Sequence, residues 1–174
     1  MQQTGQVETS KAPLVYLAGP LGFTDAGRAY HDAVVIPAVR AAGFEPLDPW
    51  GLPLELQRVF ELPRDSTERS EQLEATNRAV GRRNAELIRA SAATLAILDG
   101  SDVDSGTAAE IGYSAALGKP VIGLRSDLRT TGDNEATLVN LQVEWFIVES
   151  GGLLSTNLPD AIAALARVLG VDRP

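Results

Sequence analysis

The chain has no cysteine among its 174 residues. That excludes a disulfide framework and any thiolate chemistry. It has one histidine, His31. A histidine-rich metal site and a histidine-dependent triad therefore lack their parts. Positive charge is scarce: 15 Lys and Arg stand against 23 Asp and Glu, a net charge of -8. Nonspecific nucleic-acid binding needs clustered basic residues to meet phosphate, so this balance argues against it. No apolar run reaches the length of a membrane span. The opening "MQQTGQVETSKAP" has neither a basic n-region nor an apolar h-region, so it does not read as a signal peptide. The expectation is a cytoplasmic protein with a flexible tail over residues 1–12 and a single domain over 13–174.

Three phosphate- or nucleophile-bearing motifs are also missing. Gly19 and Gly22 do not form G-x-G-x-x-G, and no acidic residue follows at dinucleotide spacing. There is no G-x-x-x-x-G-K-[ST], which excludes a P-loop. The stretch "GTAAEIG" lacks the serine of a nucleophile elbow. No cofactor or metal is called for by what remains.

Hydrophobic residues make up 44% and charged residues 22%, the profile of a globular chain with a sizeable core. Short apolar runs alternate with helical patterns. "LVYLAG" (14–19) reads as a buried strand, and "DAGRAYHDAVVIPAVRAAG" as a helix with Asp25 as cap, Pro37 as a kink or local adjustment and Gly43 as stop. "FEPLDPW" reads as a second strand. Residues 51–70 read as a loop or lid with short helical pieces. "EQLEATNRAVGRRNAELIRASA" is a long amphipathic helix. "ATLAILDG" is a third strand, "SGTAAEIGYSAALG" a helix closed by Gly118, and "KPVIGL" a fourth strand. "LVNLQ" is a helical turn, "VEWFIVE" a fifth strand, and "LPDAIAALARVLG" a closing helix. This alternation predicts an α/β, flavodoxin-like or Rossmann-like three-layer fold. Its five-stranded, mostly parallel sheet carries helices on both faces; strand order is not readable from the sequence, and 2-1-3-4-5 is taken by analogy with flavodoxin-like folds.

Ligands of such sheets sit beyond the carboxyl ends of the strands. That rule gathers Gly19 to Phe23, then Asp48 and Trp50, then Asp99, Asp102, Asp104 and Glu110, then Arg125 to Asp127. Asp104 and Glu110 are the strongest pair. Two carboxylates in one crevice divide labour, one as ionised nucleophile and one as orienting or proton-handling group. The bland readings stand beside these. Glu110 reads equally as a solvated helix residue. Asp102 and Asp104 read as turn and N-cap residues. Tyr16 reads as core, Asn84 as a polar-face residue, Asn140 and Gln142 as loop hydrogen bonders, and Phe23 and Trp50 as core fillers. His31 reads as an ordinary helix residue, and Arg82 and Arg83 as solvated.

Three segments together, "VYLAGPLGF", "LDGSDVDSGTAAEIGYSAALGKPVIGL" and "VNLQVEWFI", resemble the nucleoside 2-deoxyribosyltransferases. The resemblance runs from about Leu14 to Gly152. Its most specific part is the turn Asp104-Ser105-Gly106-Thr107 followed by Glu110-Ile111-Gly112. It implies an enzyme that cleaves the N-glycosidic bond of a 2′-deoxynucleoside, holds the sugar as an ester on a glutamate, and passes it to another nucleobase. Carried over, Glu110 is the nucleophile, Tyr16 positions it, and Asp104 holds a sugar hydroxyl or the base. Gly19, Phe23, Asp48 and Trp50 line the substrate pocket. Asn140 reaches from a neighbouring subunit of a homo-oligomer to the 5′-hydroxyl, with Gln142 beside it. The chain departs from the pattern at Asn84, where some members carry an aspartate as candidate acid; an amide cannot supply that proton, although as a substrate-binding residue it can hydrogen-bond the base. Asp104, Asp48 or water are the remaining donors. Two rival readings are a hydrolase of 2′-deoxynucleoside 5′-monophosphates, with Arg125 and Arg129 supplying charge, and a non-catalytic nucleotide-binding module.

Overall fold

A computed structural model of the chain describes residues 12–171; most of the N-terminal tail expected from the sequence lies outside them. The elements follow in the order β1 (Leu14–Ala18), α1 (Asp25–Tyr30), α2 (Ile36–Ala41), β2 (Glu45–Leu47), α3 (Leu54–Glu61), α4 (Thr67–Ala90), β3 (Ala93–Ile97), α5 (Ser105–Ala116), β4 (Val121–Leu124), α6 (Leu141–Glu149), β5 (Leu153–Ser155) and α7 (Leu158–Val168). The strands form one sheet in the order β2-β1-β3-β4-β5. All four pairings are parallel.

Side chains alternate across a strand, so each strand feeds two cores. Val15 and Leu17 of β1 and Leu95 and Ile97 of β3 join Val39 of α2 and Leu165 of α7 on one face. Tyr16, Ala18 and Ala96 join Ile88 of α4, Ile111 of α5 and Ile147 of α6 on the other. The period of two therefore sends Tyr16 toward the helix that carries Glu110. Every β3 residue is buried, as expected for the central strand of a sheet covered on both sides.

Two expectations need correction. "VEWFIVE" is helix α6, not the fifth strand. Val143 and Ile147 recur at helical spacing on its buried face, and Asn140 caps its start. Branched and aromatic residues make the segment look strand-like, but it lacks strict alternation. β5 is the shorter "LLS" that follows, paired with β4 through Ile122↔Leu153. Thr24, not Asp25, caps α1, its hydroxyl accepting the Gly27 N–H at 3.0 Å. The local adjustment expected at Pro37 takes the form of one π-helical turn, His31–Val35, that links α1 to α2. Proline has no N–H to donate, and the wider turn absorbs the missing bond.

Residues 51–70 are more regular than a loop. They hold α3 and the first turn of α4, which begins at Thr67 behind the cap Ser66. The Arg69 guanidinium donates to the carbonyls of Phe60 and Leu62, tying the end of α3 to α4. Among the described residues, no helix is long and apolar enough to cross a membrane.

Candidate active site

The carboxyl ends of β1 and β3 and the start of α5 bring Tyr16, Asp104 and Glu110 together. Asp104 is the N-cap of α5: its Oδ2 accepts the Thr107 N–H at 2.9 Å and the Thr107 hydroxyl at 3.1 Å. Thr107, Ile111 and Ser114 form the face of α5 that packs on the sheet. Glu110 flanks that face, partly buried. The Tyr16 hydroxyl, on a wholly buried residue, donates to Glu110 Oε1 at 2.6 Å across 94 positions of sequence.

Three effects set the charge on Glu110. Burial, the largest, disfavours the ionised form; the Tyr16 hydrogen bond favours it; the Asp104 charge again disfavours it. The net result lifts its pKa from 4.5 to about 7. Tyr16 is pushed far above the usual tyrosine range by burial and then by the Glu110 charge, so its hydroxyl keeps its proton. A carboxylate with one oxygen held by a phenol and the other free of that bond is oriented for attack on an electrophilic carbon.

A second cluster lies beside the first, built from the loops after β1 and β2. Asp48 Oδ1 accepts the Trp50 N–H at 3.0 Å, and Trp50 Nε1 donates to the Gly19 carbonyl at 3.3 Å. The Trp50 indole covers Gly22 so closely that a Cβ there would fall 1.9 Å from the ring. Phe23 meets Trp50 edge-on with ring centroids 4.7 Å apart. Phe23 is itself 67% exposed and is not a core filler.

Sequence reasoning missed two residues here. His31 is buried, with Nε2 3.2 Å from Asp48 Oδ1. Arg83 is not solvated: its guanidinium donates to the carbonyls of Asp48, Pro49 and Gly51. The spacing His31-Val35-Val39, four residues apart on one helical face, could have revealed the burial of His31. Nothing in the sequence pairs Arg83 with a loop more than thirty positions away. For Asp48, burial would raise the pKa, but His31, the Trp50 amide and Arg83 outweigh it and hold the carboxyl below its usual range.

Asn84 lies on α4 one turn before the packed residues Leu87 and Ile88, with Oδ1 buried and without a hydrogen-bond partner. Asn140 spends its side-chain oxygen on the N–H groups of Gln142 and Val143 as the cap of α6, and Gln142 is exposed. Gly112 admits a helix, its Cβ position lying 3.6 Å from the Phe146 ring of α6. The arginines of the later loop are engaged within the chain. The buried Arg125 donates to the carbonyls of Leu98, Gly100 and Arg129. Arg129 pairs with Asp127. Asp99 accepts from Ser126 and Asp127, joining the loops after β3 and β4.

A doubly wound parallel sheet with a tyrosine-braced glutamate at its carboxyl edge defines an α/β protein whose candidate site centres on carboxylates. The family model of the nucleoside 2-deoxyribosyltransferases matches residues 15–142, and the chain belongs to that family. Solved structures share the fold. A conserved protein from Enterococcus faecalis V583 is 21% identical with a TM-score of 0.64, over 90% of this chain and 99% of that one. A 2-desoxiribosyltransferase from Leishmania mexicana is 24% identical with a TM-score of 0.60, over 89% and 97%. A 2-deoxyribosyltransferase from Bacillus psychrosaccharolyticus is 24% identical with a TM-score of 0.53, over 86% and 90%. None of the curated proteins matches the chain.

Proposed function

We propose that this protein transfers 2-deoxyribose from a 2′-deoxynucleoside to a free nucleobase through an ester on Glu110. The observation that carries the reading is the 2.6 Å bond from the buried Tyr16 hydroxyl to a partly buried Glu110. In the first half-reaction a Glu110 oxygen attacks C1′. The bond from C1′ to the base nitrogen breaks, its electron pair leaves with the base, and the base takes up a proton. In the second half-reaction another base attacks C1′, gives up its proton, and the ester oxygen departs as carboxylate. Splitting the exchange this way replaces one difficult displacement with two easier ones.

Tyr16 holds one Glu110 oxygen so that the other faces the sugar. Asp104 keeps Oδ1 for a sugar hydroxyl while Oδ2 caps α5. Trp50 and Phe23 offer aromatic surface to the base. Asp48 is held ionised and therefore accepts hydrogen bonds instead of supplying the proton. Asp104 acts on Glu110 as a charge, which leaves water to protonate the departing base. Arg125 and Arg129 are already bonded within the chain, which favours a neutral sugar 5′-hydroxyl over a phosphate.

The outer face of α6 supports a homo-oligomer. Leu141, Trp145 and Val148, at helical spacing, are each about half exposed. Covering that apolar stripe with a second copy would also carry Asn140, at the head of α6, toward a neighbour's site. The protein acts in this reading without cofactor, metal or nucleic acid, as a soluble cytoplasmic enzyme with the domain at 13–174.

The test is incubation with deoxyinosine and free adenine, without phosphate or metal. Deoxyadenosine and hypoxanthine are expected. Hypoxanthine with free deoxyribose would replace transfer by hydrolysis, and no turnover with any deoxynucleoside or its 5′-monophosphate would leave a binding module.

A further inference from the structure

His31 is the chain's only histidine, and burying an imidazole among apolar side chains is costly unless a polar partner repays it. It shares a small cavity with Leu17, Leu21, Val35, Leu95 and Ile97, all apolar. Neither ring nitrogen makes a hydrogen bond of good geometry, and the nearest polar group to Nε2 is Asp48 Oδ1 at 3.2 Å. That same oxygen accepts the Trp50 N–H. Arg83 grips the same loop from α4 through three carbonyls. Two side chains from different helices thus converge on Asp48–Gly51, and the residue they fix in place is Trp50.

We propose that His31 and Arg83 are positioning residues that hold Trp50 over Gly22 as the stacking surface for the base. His31 acts through Asp48, whose carboxylate fixes the backbone amide of Trp50. Arg83 donates to the carbonyls on either side and orders them. The ring, seated on Gly22 and bonded to the Gly19 carbonyl, then has a defined height above the end of β1. The use of Trp50 by a base rests on the transfer proposed above; the seating of the ring does not.

The chain has two tryptophans, so in a Trp145→Phe background Trp50 alone reports its own environment. Glutamine places a nitrogen close to where imidazole Nε2 stood, whereas asparagine falls short and leucine fills the space without a polar atom. In the ligand-free protein, acrylamide quenching of Trp50 is expected to rise in His31→Leu and His31→Asn and to return to the parent level in His31→Gln. With Trp145 present, the same two variants should raise KM for donor and acceptor by about five-fold or more, with kcat within about two-fold, as weakened stacking on one base would give. His31→Gln should restore KM. Arg83→Ala, at a partly exposed position, guards against loss of fold at His31 and should raise Trp50 quenching in the same way.

Unchanged quenching in His31→Leu and Arg83→Ala, or equal behaviour of the Asn and Gln variants, would overturn the assignment. Changed quenching in a protein that transfers no sugar would refute the transfer and leave the positioning intact. Normal transfer with unmoved quenching and KM would do the reverse.

Discussion

At Glu110, burial and a hydrogen bond pull the same carboxyl in opposite directions, and burial wins. Glu110→Gln keeps the shape and the Tyr16 contact but removes the nucleophile, so transfer should fall by about 10³-fold or more in initial-rate assays. The same substitution should show in stability. A carboxyl raised from 4.5 to about 7 binds more protons folded than unfolded between those values. Its contribution is therefore complete below about 4.5 and is lost as pH rises toward 7, by a few kcal/mol at most. The Gln variant lacks that slope, so its melting temperature should exceed that of the wild type by more at pH 8 than at pH 5. Activity needs the ionised form, which places the acid limb of kcat/KM near pH 7. Tyr16→Phe removes a bond that favours ionisation and should move the limb up by roughly half to one unit. Asp104→Asn keeps the cap, removes a repelling charge, and should move it down by a similar amount.

At the scale of elements, Asn140 has two duties that can be separated. Its side-chain oxygen caps α6 through Gln142 and Val143. Asn140→Ala should cost about 1 kcal/mol, read as a lower denaturation midpoint, and should also lower transfer. Asn140→Ser keeps a capping oxygen and should recover the midpoint; if it recovers transfer as well, the cap is the residue's whole role. α6 is also where reading by composition failed. "VEWFIVE" has strand-like residues, but a capping asparagine at its head and buried Val143 and Ile147 at helical spacing make it a helix. A similar conflict sits in the first helical segment, where Pro37 is met by a π-turn that begins at the buried His31.

For the whole molecule, the exposed stripe Leu141-Trp145-Val148 decides the assembly prediction. A charge in the middle of an apolar interface is left buried and unpaired, which is costly. Trp145→Glu should therefore convert an oligomer to a monomer in sedimentation velocity and reduce transfer with it. A wild type that is already monomeric and fully active would remove the role of Asn140 at a neighbour's site.

Alternation of buried strands with amphipathic helices is local, periodic and strong, so the parallel sheet was legible in the sequence; its 2-1-3-4-5 order was not, because no local pattern records which strands pair, and it rested on analogy with flavodoxin-like folds. The candidate pair Asp104 and Glu110 was legible, because strand ends are where such sheets place ligands. What the tertiary structure decided are the contacts made across long stretches of chain. Tyr16 meets Glu110 because the period of two turns its side chain to the face that α5 covers. His31 and Arg83 meet one loop because β1 and β2 are neighbours and α4 packs against β1. No spacing rule records these meetings. They depend on how helices from distant positions pack on one sheet, and packing also decides which charges are buried and which way their pKa values move.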